Sequence, residues 1–440
     1  MGLIVSNRFF NSLKFTALSL LFTGLINAKQ IVAAAENLPD KIDDNNSTIS
    51  ALFSTEFEFG LRVRHEQVEQ GNLSAHANTA KFRLHTKTRF NDNWRIEFEL
   101  DHIEAYAEDH HSDGVLANGE LVIADPEGTE INEAFLNANF DDLQIRAGRQ
   151  KITFADERFV GSVGFRQNDQ TFDALSLKSD LLTASQLDYA YIFNVNRIFG
   201  DDATARLSPT DSRFEALSGI RPAGLRGDHR VEGHLINFAI KEWDHLELNS
   251  YLYSVHNQTF SAFSNRSLGL RAEYRRKIAR TRLFADIELA AQKQQESSVD
   301  DWIGYSLFEF GARYRSLQLS LRQERLNEKD GQAFITPLAT LHKFQGWADQ
   351  FLITPSVGLS DQVIRLQWKQ RPITVDVRYH RYRSIKNSML IGNETNVDFV
   401  YKANRQHEVK LRYADFEAAA DQQIVLNSVK KMFLMYSYNL

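Results

Sequence analysis

The sequence predicts an all-β fold, a transmembrane antiparallel β-barrel of about 18 strands. The first observation lies in residues 80–90, where Phe82, Leu84, Thr86, Thr88 and Phe90 alternate with Lys81, Arg83, His85, Lys87 and Arg89. A period of two places the first set on one face of a strand and every basic residue on the other. A soluble core does not accommodate the second face, whereas a wall with lipid outside and a water-filled lumen inside requires both faces.

The second observation is an N-terminal segment typical of a secretory signal peptide. Arg8 and Lys14 precede the apolar run Phe15–Ile26, and small residues follow at Ala28 and Ala33–Ala35. The apolar run is shorter than the stretch of about 20 residues that spans a bilayer as a helix. We therefore predict a signal peptide over 1–35, a flexible lead-in over 36–50 and a barrel over 51–440, in a protein of the Gram-negative outer membrane.

The third observation is that alternating segments recur from Glu56 to the last residue. Their connections alternate between short turns, such as 91–93, and longer polar stretches. Barrels have short periplasmic turns and longer extracellular loops. We therefore place three long connections outside the cell: Tyr106–Thr129, Arg197–Arg230 and Asn327–Ser360.

The last segment predicts a terminal barrel strand. Met432, Leu434, Tyr436, Tyr438 and Leu440 form an apolar, partly aromatic face that reaches the final residue. This face resembles the terminal strand by which the barrel-assembly machinery recognises outer-membrane proteins, although the usual last residue is aromatic and here it is leucine. We expect that machinery and outer-membrane lipid to be partners of the chain.

Composition excludes several classes of function. The sequence has no cysteine, which excludes disulfides, thiolate metal sites and cysteine nucleophiles, and its net charge of -6 does not favour nucleic-acid binding. No hydrolase elbow, phosphate-binding loop or zinc-protease helix is present, so we predict neither an enzyme nor a cofactor. The run from Glu108 to Asp113 contains two histidines, but its spacing matches no known metal loop, and we assign it no metal.

Four stretches resemble the alginate-export family of outer-membrane channels: Ala124–Leu136, Ala147–Ala174, Leu187–Gly200 and Phe334–Leu352. The resemblance implies an 18-stranded monomeric barrel whose narrow basic pore passes a uronic-acid polymer. It also adds Arg149 and Arg166 to the candidate pore residues. Within the second stretch, Phe154–Asn168 is either a constriction element folded against the lumen wall or a packed external loop. The aromatic side chains around Trp347 either stack on sugar rings or, as we expect, anchor a loop.

An anion crossing a pore requires positive charge divided among several weak sites, and arginine pairs well with carboxylates. From alternation we expect the pore to be lined by Lys81, Arg83, Lys87, Arg95, Arg146, Arg271, Arg365 and Arg412. The alternative is that these side chains only neutralise wall carboxylates such as Glu97, Glu99 and Asp286. The matching functions are a channel for an anionic solute or an alginate-like polyuronate, with periplasmic secretion partners, and a diffusion porin for small organic acids or hydrophobic compounds.

Overall fold

The protein's structure is a computed structural model that describes residues 54–115, 118–180, 183–200, 203, 227–295, 301–420 and 424–440. Within these residues, the strands are β1 (Ser54–Gln70), β2 (Leu73–Arg89), β3 (Trp94–Ala105), β4 (Gly128–Phe140), β5 (Leu143–Gln150), β6 (Thr171–Ser179), β7 (Ser185–Asn196), β8 (His229–Trp243), β9 (Leu246–Asn257), β10 (Asn265–Ile278), β11 (Thr281–Gln294), β12 (Ile303–Tyr314), β13 (Leu317–Leu326), β14 (Glu328–Lys329), β15 (Gln332–Ala333), β16 (Leu359–Gln370), β17 (Ile373–Ser384), β18 (Leu390–Lys402), β19 (His407–Ala418) and β20 (Val429–Asn439). The predicted signal peptide and lead-in lie outside the described residues. No helix in the described ranges is long and apolar enough to cross a membrane.

All strands except β14 and β15 form one closed antiparallel sheet of 18 strands. Each strand pairs with its neighbours in sequence, and β1 pairs with both β2 and β20. The last residue takes part in this closure, because the Leu440 amide donates to the Phe59 carbonyl oxygen at 2.9 Å. Closure satisfies the backbone groups of every strand within the barrel, as a bilayer requires. The predicted all-β barrel is confirmed.

The two faces of the wall differ as the alternation predicts. Phe82 is 42% exposed, whereas its neighbour Lys81 is 3% exposed and points inward. The same holds on the opposite side of the barrel, where Leu319 and Leu321 are more than half exposed and Ser320, between them, is buried. The outer face is therefore an apolar surface for lipid, and the inner face carries the polar and charged side chains.

Connections of two lengths alternate around the barrel. The predicted long connections lie between β3 and β4, between β7 and β8, and between β13 and β16, whereas β2–β3, β4–β5 and β12–β13 are joined by tight turns. The long connections all lie at one end, which we call the long-loop end. By the general rule for these barrels it is the extracellular end.

Two of the connections fold into the lumen. We call residues 151–170 the first inner loop and residues 327–358 the second inner loop. Phe334, Trp347 and Phe351 of the second inner loop pack against apolar wall residues such as Tyr382. Ile152 and Val160 of the first inner loop pack against Phe172 and other residues of β6–β9. Near the long-loop end, wall and loops thus share a hydrophobic core, so burial of apolar surface stabilises the inward position of both loops.

Candidate functional site

The two inner loops contact each other inside the barrel. Val160 and Leu338 form an isolated parallel bridge. The Gly161 amide donates to the Leu338 carbonyl oxygen at 2.9 Å, and the Thr340 amide donates to the Glu157 carbonyl oxygen at 3.1 Å. A Cβ at Gly161 would lie 2.2 Å from Thr340 Oγ1, so a larger side chain does not fit at this contact. The two loops therefore form a single element that crosses the lumen, as the constriction hypothesis for Phe154–Asn168 requires.

Arg166 ties the first inner loop to the wall and to the second inner loop. Its guanidinium donates to Glu66 Oε2 on β1 at 2.9 Å and to Asp349 Oδ2 at 3.0 Å. Lys431 on β20 donates to the same Asp349 oxygen at 2.7 Å. Burial alone would lower the pKa of Arg166, but the Glu66, Asp125 and Asp349 carboxylates raise it above the ordinary value. Arg166 is thus a buried, fully charged anchor and is not exposed to a passing solute.

Arg158 anchors the first inner loop to the opposite wall. Its Nε donates to Glu324 Oε1 on β13 at 2.5 Å, and its Nη1 donates to Thr336 at 2.9 Å. Glu324 also accepts from Tyr305 at 3.0 Å, from Gln345 at 2.7 Å and from Arg322. One fully buried carboxylate therefore holds a wall arginine and a loop arginine together.

His342 joins the second inner loop to the first. Its ring stacks on Phe165, with ring centroids 3.8 Å apart, and its Nδ1 lies 2.6 Å from Asp349. Arg412 donates to its Nε2 at 3.0 Å. An Nε2 that accepts from arginine carries no proton, so the imidazole is neutral and Nδ1 donates to Asp349. Burial lowers the pKa of His342 to about 3, which agrees with this assignment.

The four candidates on β2 and β3, which are Lys81, Arg83, Lys87 and Arg95, face the lumen, and each forms an ion pair. Lys81 lies 3.0 Å from Asp101, Lys87 lies 2.5 Å from Glu58, and Arg95 lies 2.7 Å from Glu97. Arg83 contacts Asp101 at 2.9 Å, and also Glu99 and Asp169. On this wall the alternative interpretation, in which the basic groups neutralise carboxylates, fits the geometry better.

Three carboxylates at this wall raise the question of a metal. Single oxygens of Glu99, Asp101 and Asp169 lie within 4.8 Å of one another. Lys151 Nζ already lies 2.7 Å from Glu99 and 2.9 Å from Asp169. Burial would raise the pKa of Asp169, but Lys81, Lys151 and Arg83 lower it below its usual range. Protein cations thus fill the position that a metal ion would occupy.

Arg146 and Arg149 lie on opposite faces of β5. Arg146 faces the lumen, where it donates to Asn137 at 3.2 Å and borders a cavity of about 250 Å³. Arg149 lies three residues further along and points to the outer face, where its Nε donates to Asp173 at 2.8 Å. The expectation that Arg149 lines the pore therefore disagrees with its position, because the period of two in a strand separates it from Arg146.

Of the remaining candidates, Arg271 and Arg365 border an open space in the lumen, and Arg412 does not border it. Arg271 lies 2.9 Å from Asp156 and 3.0 Å from Glu288, and Arg365 donates to Asp376 at 2.9 Å. Arg412 contacts Asp398 at 3.0 Å and stacks over the Trp347 ring at 3.8 Å, so it holds the second inner loop. Trp347 is buried, as the anchoring hypothesis expects.

The open space is a cavity of about 1030 Å³, which we call the basic cavity. Its walls are β9–β13, β16 and β17, and the two inner loops border it through Asp156, Lys343 and Phe344. Ten basic and five acidic residues line it. The basic ones are Arg271, Arg275, Arg276, Lys277, Arg282, Arg313, Arg322, Lys343, Arg365 and Arg378.

The positive charge of the basic cavity is incompletely compensated. Within the described part of the chain, three of its lumen-facing basic side chains form no ion pair: Lys277, Arg282 and Arg313. Arg276 pairs with Leu283, which faces lipid, so the alternation of β10 directs its side chain outward. Arg313 donates to the neutral side chain of Gln367 at 3.0 Å. Arg365 and Arg378 share the single carboxylate of Asp376. These side chains are therefore available to a solute carboxylate, unlike the paired Lys81, Arg83 and Lys87 of β2.

Several residues of the basic cavity were not among the sequence candidates. Arg313 and Arg378 alternate with apolar residues in their strands, β12 and β17. This alternation alone places them in the lumen. Lys343 belongs to the second inner loop, and no periodicity in the sequence indicates its position.

A closed 18-stranded barrel with an apolar outer face and a charged lumen defines the class of outer-membrane channels, and the protein is an outer-membrane β-barrel of this class. The model of the alginate export family matches residues 54–193, which confirms the resemblance seen in the sequence. The matched residues include Ala124–Leu136 and Ala147–Ala174, whereas Phe334–Leu352 lies outside them. None of the curated proteins compared with the sequence matches it.

Solved structures of proteins from two organisms superpose on this chain. OccAB4 of Acinetobacter baumannii superposes with a TM-score of 0.65 at 11% identity, over 88% of this chain and 98% of that one. OccK9 (OpdG) of Pseudomonas aeruginosa superposes with a TM-score of 0.65 at 12% identity, over the same shares of the two chains. The outer membrane protein opdK of Pseudomonas aeruginosa gives 0.65 at 10% identity, again over 88% and 98%. At these identities the likeness concerns the fold.

Proposed function

We propose that the protein is a passive, anion-selective channel that passes carboxylate-bearing solutes through the basic cavity. The observation that carries the proposal is the composition of that cavity, with ten basic and five acidic residues around about 1030 Å³. A solute carboxylate that enters it exchanges water for guanidinium donors that no protein carboxylate fully occupies. The basic groups lie on several strands, so binding is divided into weak sites and the solute can leave.

Small acids fit this geometry better than a polymer. Arg166 holds the first inner loop to β1, and Arg158 holds it to β13, so the loop is fixed on both sides of the lumen. Glu394 on β18 accepts from the Trp347 amide at 2.6 Å and holds the second inner loop as well. The open space thus lies to one side of a tethered element, which suits a single uronate or another small organic acid.

A polyuronate is the second candidate. It is supported by the match of residues 54–193 to the alginate export family. The charged lining of the basic cavity argues against a third possibility, a pore for hydrophobic compounds, because desolvating its guanidiniums without a partner would be costly. We retain the prediction that the chain is not an enzyme, with no cofactor and no metal.

Reversal potentials in planar bilayers test the proposal. With a potassium glucuronate gradient, we expect the wild-type channel to be anion-selective and the Arg313→Gln channel to be less so. An ion about 6 Å from a guanidinium gains about 0.7 kcal/mol in water, or about 0.4 kcal/mol at 0.1 M salt. Removing the charge should therefore lower anion occupancy about twofold at that salt concentration.

Arg95→Gln is the matched control, because Arg95 faces the lumen away from the basic cavity and is paired with Glu97. Cation selectivity of the wild type, or equal effects of the two substitutions, would refute the proposal. Oligouronates of increasing length separate the two candidate solutes: block only by chains of several residues favours the polymer, and equal passage of the monomer favours the small acid.

A further inference from the structure

Three arginines lie on the outer face of the barrel, on two strands near the long-loop end. Arg325 is on β13, and Arg381 and Arg383 are on β17. Adjacent residues of a strand point to opposite faces, and their neighbours Glu324 and Tyr382 are buried inside the barrel, so the three arginines point outward. Arg325 and Arg381 are exposed, and Arg383 is half-buried because its Nη1 donates to the Ser388 carbonyl oxygen at 2.9 Å. We call these residues the outer arginine patch.

The register brings the three arginines together. Ser360 on β16 pairs with both Arg325 and Arg383, so the two arginines flank one strand. Adjacent strands are about 4.8 Å apart, which puts their Cα atoms about 10 Å apart, with Arg381 about 7 Å further along β17. Arginine side chains can span such distances and converge on one phosphate group.

The patch borders directly on the apolar belt. Gln323, Gln362 and Arg381 form one outward row across the three strands. The next outward row towards the short-turn end is Leu321, Ile364 and Tyr379, which are 56%, 53% and 45% exposed. Exposed apolar side chains of this kind contact acyl chains, so the arginines lie where acyl chains give way to headgroups. Gln323 and Gln362, at the boundary, hydrogen-bond to each other at 2.9 Å.

The charge of the patch is not neutralised by the protein. In the ranges that the structure describes, Arg325, Arg381 and Arg383 take part in no ion pair. On the same face Glu417 on β19 lies two strands from Arg381, with Asn393 between them. The outward-facing Arg149 on β5 differs, because Asp173 compensates it. Three like charges next to lipid without an acidic protein partner are available to an external anion.

We propose that the outer arginine patch binds the phosphate group of an anionic glycolipid in the outer leaflet of the membrane. The lipid's acyl chains lie along the belt formed by Leu321, Ile364 and Tyr379, while its phosphate accepts from the guanidiniums at the edge of that belt. Bidentate donation and charge attraction hold the phosphate, and chain contact holds the rest of the lipid. The site lies outside the barrel and is independent of the solute pathway.

Native mass spectrometry of the detergent-purified barrel tests the inference. The probes are bisphosphorylated lipid A, its dephosphorylated counterpart and inorganic phosphate alone. The site variant carries Arg325→Gln, Arg381→Gln and Arg383→Gln. The matched control carries Arg315→Gln, Lys369→Gln and Arg371→Gln, which remove three positive charges at the short-turn end, in the β12–β13 turn, at the end of β16 and in the β16–β17 turn. Heat-modifiable gel mobility verifies that both variants are folded.

We expect the wild type and the control to bind the phosphorylated lipid at least about tenfold more tightly than the site variant does, since each basic residue near a membrane surface contributes about fivefold to anionic lipid binding. The dephosphorylated lipid should bind all three proteins weakly. Equal binding by the site variant and the wild type would overturn the inference, as would equal loss in the control. Displacement of the lipid by millimolar inorganic phosphate would overturn the assignment to a lipid.

Discussion

Replacing Glu324 with glutamine should release the first inner loop from the wall. The carboxylate is fully buried and accepts from Arg158 at 2.5 Å, from Gln345 at 2.7 Å and from Tyr305 at 3.0 Å, as well as from Arg322. Glutamine keeps the shape of the side chain but leaves the buried Arg158 guanidinium and the partly buried Arg322 guanidinium without this countercharge.

The magnitude follows from the cost of an unpaired buried charge, about 3–5 kcal/mol. Arg322 is on a barrel strand and Arg158 is on the loop, so the cost falls on the docking of the loop while the strand ladder stays intact. The equilibrium between docked and undocked loop should therefore shift by about two to three and a half powers of ten. A loop that leaves the lumen widens the conducting path.

Single-channel recording and limited proteolysis measure this change. We expect a larger and noisier conductance for Glu324→Gln, with new cleavage within residues 151–170, while heat-modifiable mobility stays normal. Glu309→Gln is the control, since Glu309 faces the lumen from the adjacent strand β12 and forms no ion pair with described residues. Unchanged conductance together with unchanged protease resistance would refute the reasoning.

Three further outcomes are expected. Gly161→Val should separate the inner loops, because even its Cβ would lie 2.2 Å from Thr340 Oγ1, and proteolysis at the loops reports the loss. Loop docking should weaken as the pH falls from about 6.5 towards about 3. Burial lowers the pKa of His342 to about 3, so only the undocked imidazole takes up a proton in that pH range. His342→Gln should reduce the pH dependence of the open-channel noise, and an unchanged pH profile would contradict the assignment. Arg149→Gln should leave conductance and selectivity at wild-type values in the same bilayers, because Arg149 pairs with Asp173 on the outer face.

The period-two alternation was sufficient to predict the barrel wall. In β11, Leu283, Ile287 and Leu289 face lipid and Asp286 and Glu288 face the lumen, as their spacing indicates. Strands are predictable in this way because one face must suit lipid and the other water, and this demand is local in sequence.

The inner loops and their ion pairs were not predictable to the same degree. Arg158 and Glu324 are 166 residues apart, and no local pattern links them. The ion pair of Lys81 with Asp101 was not predictable either. Alternation placed Lys81 in the lumen, but its neutralisation depends on the register of β2 against β3. Arg149 illustrates a different kind of error. The resemblance to the family placed it in the pore, although the alternation of β5 directs it to the face opposite Arg146.

The central claim is that solutes pass through the basic cavity and that the cavity concentrates anions. The sequence has no cysteine, so a single introduced cysteine is the only thiol in the protein. Gln318 lines the basic cavity, and its neighbour Leu319 faces lipid and is 51% exposed. In the Gln318→Cys channel, we expect an anionic methanethiosulfonate reagent to reduce conductance and to react faster than a cationic reagent of equal size. The Leu319→Cys channel should show no change in conductance with either reagent. Equal block at both positions, or faster reaction of the cationic reagent at Gln318→Cys, would contradict the account.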